Sequence, residues 1–143
     1  MKNFGSKSEF HNERTSDLLR AYFRYLETCG HVSMPEVFKR VVSMPAARFW
    51  VSASRAAVVV AKIMRGDTLN YMRVNKREMF FEIHRRVVHL RQSCIDWPLP
   101  RLIEAVIEQP APKFYLAPGS ARVLILKARK KWFAEKSKRQ QVC

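Results

Sequence analysis

Acidic residues, glycine and cysteine are scarce in this chain. Its 143 residues include 12 Asp and Glu against 27 Lys and Arg, a net charge of +15. Only four Gly and three Cys are present (Cys29, Cys94 and Cys143). Three thiols without framework spacing exclude a small disulfide scaffold. No long apolar run exists: Ala56–Ala61 is far too short to cross a bilayer. The opening "MKNFGSKSEF" lacks the apolar segment of a secretory signal. These absences predict an intracellular, cytoplasmic protein with reduced thiols and no membrane partner. No phosphate loop, nucleophile elbow, zinc-protease motif or dinucleotide fingerprint occurs, so neither an enzyme nor a cofactor is expected. What remains is ample core material, with 48% hydrophobic residues, and a cationic excess that points to a polyanionic partner.

The chain repeats itself. "PAARFWVSASRAAVVV" begins at Pro45, and "PAPKFYLAPGSARVLI" begins 65 positions later at Pro110. Carried without a gap over 12–65 and 77–130, that offset gives 11 identities. They include Glu13/Glu78, Cys29/Cys94, Pro35/Pro100, Phe49/Phe114 and Lys62/Lys127. Chance supplies about three at ordinary composition. Two copies of one supersecondary unit are predicted, at 12–66 and 75–133, with loose tails at 1–11 and 134–143.

Each copy reads as three helices, making the fold class all-α. The first helix spans about 13–28 and 76–93. Leu18, Tyr22, Tyr25 and Cys29, matched by Ile83, Val87, Leu90 and Cys94, recur on one helical face. Asn75 is the expected N-cap of the second of these helices. The second helix, near 35–43 and 100–108, starts with a first-turn proline and buries Val37, Phe38, Val41 and Val42 or their counterparts. A short extended aromatic segment follows, "RFWV" or "KFYL", with β-bridge character. The third helix runs near 53–65 and 118–133, capped by Ser52 in copy one and opened by Pro118 in copy two.

Charge concentrates on that third element. From Asn12 to Met44 the net charge is +1; from Arg48 to Arg65 four cations stand with no acid; from Lys113 to Arg139 nine cations stand with one, Glu135. On a helical wheel Ala56, Val59, Val60 and Ile63 share one face, and Arg55, Lys62 and Arg65 share another. Copy two repeats this with Ala121, Leu124, Ile125 and Ala128 against Lys127 and Lys130, widened by Arg122, Arg129 and Lys131. Acid-free faces differ from ordinary solvated helix surfaces, which mix signs. The order of helix, short helix, connection and basic helix resembles tri-helical, helix-turn-helix DNA-binding domains in tandem. That resemblance implies a small DNA-binding regulator or accessory factor. The cations expected at phosphate are Arg48, Arg55, Lys62, Arg65 and Lys113, together with Arg122, Lys127, Arg129, Lys130 and Lys131. The alternatives are an interaction module with an acidic protein partner, or an RNA-binding protein.

Other groupings read more plainly. Phe49-Trp50 and Phe114-Tyr115 could stack on bases, but the apolar residues that follow them favour burial. Cys29, His31, Cys94 and Asp96 could ligate zinc if their loops met; no C-x-x-C accompanies them, and no metal is expected. Glu13/Asp17 and Glu78/Glu82 have the spacing of carboxylate metal bundles but lack a histidine motif. The basic segment around Trp132 and Phe133 suits a phosphate backbone or an anionic membrane, the former preferred because its apolar face is short.

Overall fold

A computed structural model describes residues 10–30 and 33–142, with side chains to Lys138. Six helices make up the described residues: α1 (His11–Thr28), α2 (Met34–Val42), α3 (Ala53–Met64), α4 (Val74–Ser93), α5 (Leu99–Ile107) and α6 (Pro118–Val142). The first and second helices of the two copies, and the start of the third, appear in the same order. α2 and α5 match residue for residue at the 65-position offset, as do the first residues of α3 and α6.

Local chemistry explains most helix ends. Pro35 and Pro100 occupy the first turns of α2 and α5, where a missing N–H costs nothing. The Ser52 hydroxyl accepts from Arg55 N at 3.1 Å and caps α3. α3 ends at Met64 with Arg65 as C-cap; Gly66 follows with a φ of +96° that glycine alone adopts freely, and Asp67 N closes back onto Lys62 O at 3.0 Å. Two ends differ from expectation. α4 begins at Val74 after Arg73, so Asn75 lies inside the helix rather than capping it. α6 continues to Val142, so 134–142 is helical where a loose tail is predicted. Its sequence there holds Ala, Glu, Lys, Arg and Gln, which lose little side-chain freedom in a helix. His11 likewise opens α1. Residues 1–9, His31, Val32 and Cys143 lie outside the described residues.

The packing exchanges the third helices. α1 and α2 pack on each other and on α6; α4 and α5 pack on each other and on α3. Each three-helix unit therefore takes two helices from one copy and the third from the other. Consecutive α2 and α3 are not packing partners, so the helix-turn-helix pair of a single copy is not formed. Where the two crossing segments meet, Ala46 and Ala111 form an isolated antiparallel bridge, each N–H donating to the other's carbonyl at 3.0 Å. Phe49 N donates to Ile107 O, and Phe114 N to Val42 O, both at 3.0 Å. All four groups are equivalent in pairs at the 65-residue offset, so a pseudo-two-fold axis passes through the bridge. The expected β-bridge thus exists, just upstream of the aromatic segment and between the copies.

One core runs through both units. Leu18/Ile83, Phe38/Ile103, Val41/Val106, Phe49/Phe114, Ala56/Ala121 and Val60/Ile125 are equivalent pairs, and all twelve side chains are buried. The motif phenylalanines are therefore structural, in contact with the opposite copy. Trp50 and Tyr115 are half-buried beside them.

The two copies diverge around the first-helix acid. Asp17 accepts from Ala47 N at 2.8 Å and from the Trp50 indole at 3.0 Å. In copy two the counterparts of Ala47 and Trp50 are Pro112, which has no N–H, and Tyr115, which has no indole, so Glu82 has neither donor. Glu82 instead pairs with Arg85 and Arg86, both at 2.7 Å, and the Arg85 hydrogen bond leads in holding its carboxyl below the usual range. Tyr115 is left in a left-handed conformation at φ 54°. Burial first, and the Glu82 charge second, push its phenol up to about 12. A raised pKa means the fold prefers the neutral phenol. That contribution is complete below the ordinary pKa of 10.0 and is lost as pH rises toward 12. Denaturant melts across this window should show a fall in stability that Tyr115→Phe reduces, because phenylalanine keeps the ring and removes the titration.

Candidate nucleic-acid interface

Seven of the ten cations expected at phosphate remain on the surface of α3 and α6. Arg55, Arg65, Arg122, Lys127, Lys130 and Lys131 are exposed, and Lys62 is half-buried with its ammonium 6.0 Å from the Tyr71 ring. The apolar faces of both helices point inward as the wheel requires: Ala56, Val59, Val60 and Ile63 on α3, and Ala121 and Ile125 on α6, are buried. Pseudo-symmetry sets Lys62 against Lys127 and Arg65 against Lys130 at equivalent positions. α6 then extends well beyond the end of its counterpart, adding exposed Lys136 and Lys138.

The other three are occupied within the fold. Arg48 Nε donates to Phe49 O and its Nη2 to Val51 O, both at 3.1 Å, and its guanidinium sits 4.4 Å from the Phe10 ring centre. It holds the extended segment that leads into α3. Lys113 meets Glu78 at 2.8 Å. Arg129 donates to the buried Tyr22 hydroxyl at 3.2 Å and so ties α6 to α1. Wheel positions identify a face; they do not reveal a carbonyl in a local bend, or a carboxylate or phenol brought in by another segment.

Ion pairs fall outside the two basic helices, although Arg24, Lys39, Lys76 and Arg91 of the other helices are also without a carboxylate among the described residues. Among the described residues, Arg20, Arg40, Arg85, Arg86 and Lys113 pair with carboxylates. None of these belongs to α3 or α6.

The fold also gathers cations that the sequence keeps apart. Arg55 of α3 shares a cleft of about 590 Å³ with Arg14 of α1 and with Arg73 and Lys76 at the start of α4. One clue to Arg14 is legible: it lies one turn before Leu18 on the buried stripe, and copy two has Met79 in its place.

Trp132, on the basic stretch of α6, packs against Phe23 of α1 with ring centres 5.4 Å apart. No described helix is long and apolar enough to cross a membrane. Among the described residues no cluster of His, Cys, Asp and Glu could hold a metal ion, and the His31 member of the suspected set is outside them. Cys29 and Cys94 are free thiols. No family model, curated protein or solved structure matches this chain, which leaves its own side chains as the guide to what it binds.

Proposed function

We propose that this protein is a non-enzymatic DNA-binding protein that grips the phosphate backbone through α3 and α6. The observation that carries this reading is that, among the described residues, no exposed cation of those two helices has a carboxylate partner, whereas Arg20, Arg40, Arg85 and Arg86 of α1, α2 and α4 each do. Unpaired, solvated cations on a rigid helix release the counterions of a polyanion without first breaking internal ion pairs. Burial of the opposite face against two other helices sets the angle of each basic helix. The pseudo-two-fold relation gives one chain two such helices, the arrangement a dimeric DNA-binding protein reaches with two chains.

Salt dependence tests it. Binding to duplex DNA should weaken steeply as salt rises, and each lost phosphate contact should reduce the log–log slope by about 0.9. Replacing Lys127, Lys130 and Lys131 with Ala should weaken binding to every sequence and flatten the slope by roughly two to three units. The same set on α3, Arg55, Lys62 and Arg65, should act alike. The fold should survive, since none of the six side chains is buried. Arg20→Ala, on the acid-balanced α1, is the control and should change little. Titrations with duplex DNA and duplex RNA at two salt concentrations decide the matter. Binding to neither near physiological salt, or an unchanged slope in the triple variants, overturns the reading; preference for RNA transfers it to RNA.

A further inference from the structure

The cleft shared by Arg14, Arg55, Arg73 and Lys76 carries its own chemistry. It lies across the pseudo-two-fold axis: Arg14 and Met79, Val51 and Leu116, and Arg55 and Ser120 are equivalent pairs, and all line it. The N-terminal ends of four helices supply its walls, and the first turns of α3, α4 and α6 contain no acidic residue. Helix N-termini add partial positive charge to four full cations, and no carboxylate lines the space. Three aromatic rings, Phe10, Trp50 and Phe80, line it as well. Its size is within the range of pockets that enclose small organic ligands.

Arg14 gives the independent sign of a missing partner. Its Nε is buried and makes no hydrogen bond. Burial pushes the Arg14 pKa below the ordinary arginine value, with no carboxylate to offset it. A guanidinium drawn partly out of water, with its Nε–H buried and unpaired, costs a fold stability. The second copy shows that this position accepts an apolar residue, since Met79 fills it and is buried. A buried, unpaired Nε–H at a position where the other copy has methionine is explained by an anion that the guanidinium binds.

We infer that this cleft binds a small phosphate monoester carried on a flat aromatic body, of which a mononucleotide is the simplest form. Arg14, with Arg55, Arg73 and Lys76, takes the phosphate, for which a guanidinium fork is well shaped. The aromatic walls take the ring. The site shares Arg55 with the basic face of α3 and is separate from the basic face of α6, whose Lys127, Lys130 and Lys131 lie outside the cleft.

Adenosine monophosphate, adenosine and inorganic phosphate are the probes, read by Trp50 emission in a Trp97→Phe/Trp132→Phe background and by melting temperature. Adenosine monophosphate should quench Trp50 and raise the melting temperature. Adenosine and inorganic phosphate should each bind at least about tenfold more weakly. Arg14→Met should weaken the nucleotide about tenfold or more while raising the melting temperature of the free protein, an opposite pair of effects that general misfolding does not produce. The Lys127/Lys130/Lys131→Ala protein, altered outside the cleft, should bind the nucleotide as the wild type does even where it loses duplex DNA. No response to millimolar nucleotide, adenosine binding as tightly as its monophosphate, Arg14→Met binding within about twofold of wild type, or loss of nucleotide binding in the α6 variant each overturns the inference.

Discussion

Phe49→Ala should lower stability by about 3–5 kcal/mol, and Phe114→Ala should do nearly the same. Phe49 is 0% exposed and Phe114 5%. Each belongs to a segment that hydrogen-bonds to the second helix of the other copy, at Ile107 and Val42. The Phe49 ring stacks on Tyr115 with centres 6.1 Å apart, and the Arg86 guanidinium lies 4.9 Å from its centre. Truncation leaves a cavity where the copies cross and removes a face from both neighbours. Domains of this size have about 5–15 kcal/mol in total, so the loss is a large share. A fall of roughly 10–20 °C in the melting temperature is expected. An unchanged melting temperature for Phe49→Ala would return these rings to the surface and make base stacking the better account of them.

Neither half of the chain should fold alone as a monomer. A fragment ending at residue 70 keeps α1, α2 and α3 but loses α6, which packs on α1 and α2, and loses α4 and α5, on which α3 packs. Leu18, Tyr22, Phe38 and Val41 would lose part of their cover, and the Ala56, Val59 and Val60 face would have none from its native partners. Burial of these apolar side chains is the main favourable term, so the monomeric fragment should lack a cooperative melting transition. Mixed with residues 71–143, it should regain helical circular dichroism and elute at the size of the intact chain. A sharp melt from the isolated, monomeric 1–70 fragment would show that α3 can pack within its own copy, and would contradict the exchanged arrangement.

The 65-residue offset, the helical spacing of apolar residues and the boundary prolines together determine an all-α chain of six helices in two equivalent series. They also determine which side chains are buried in most of those helices, because periodicity marks a face whatever covers it. Tertiary structure alone decides what does cover it. The inward faces of α3 and α6 present Ala56/Ala121 and Val60/Ile125, so similar that either helix suits either pair of partners. Sequence pattern therefore cannot tell a self-packed third helix from an exchanged one. The choice is made by the extended connection after α2, whose backbone pairs through Ala46 with the other copy instead of turning back. The candidate surface divides in the same way. An acid-free basic face is visible in the sequence because it depends on spacing along a single helix. Arg48 is held by carbonyls of its own bend and Lys113 by Glu78 of its own copy, neither of which a helical wheel displays; the bond of Arg129 to Tyr22, and the meeting of Arg14 with Arg55, Arg73 and Lys76, need separate helices that only the crossing of the two copies brings together.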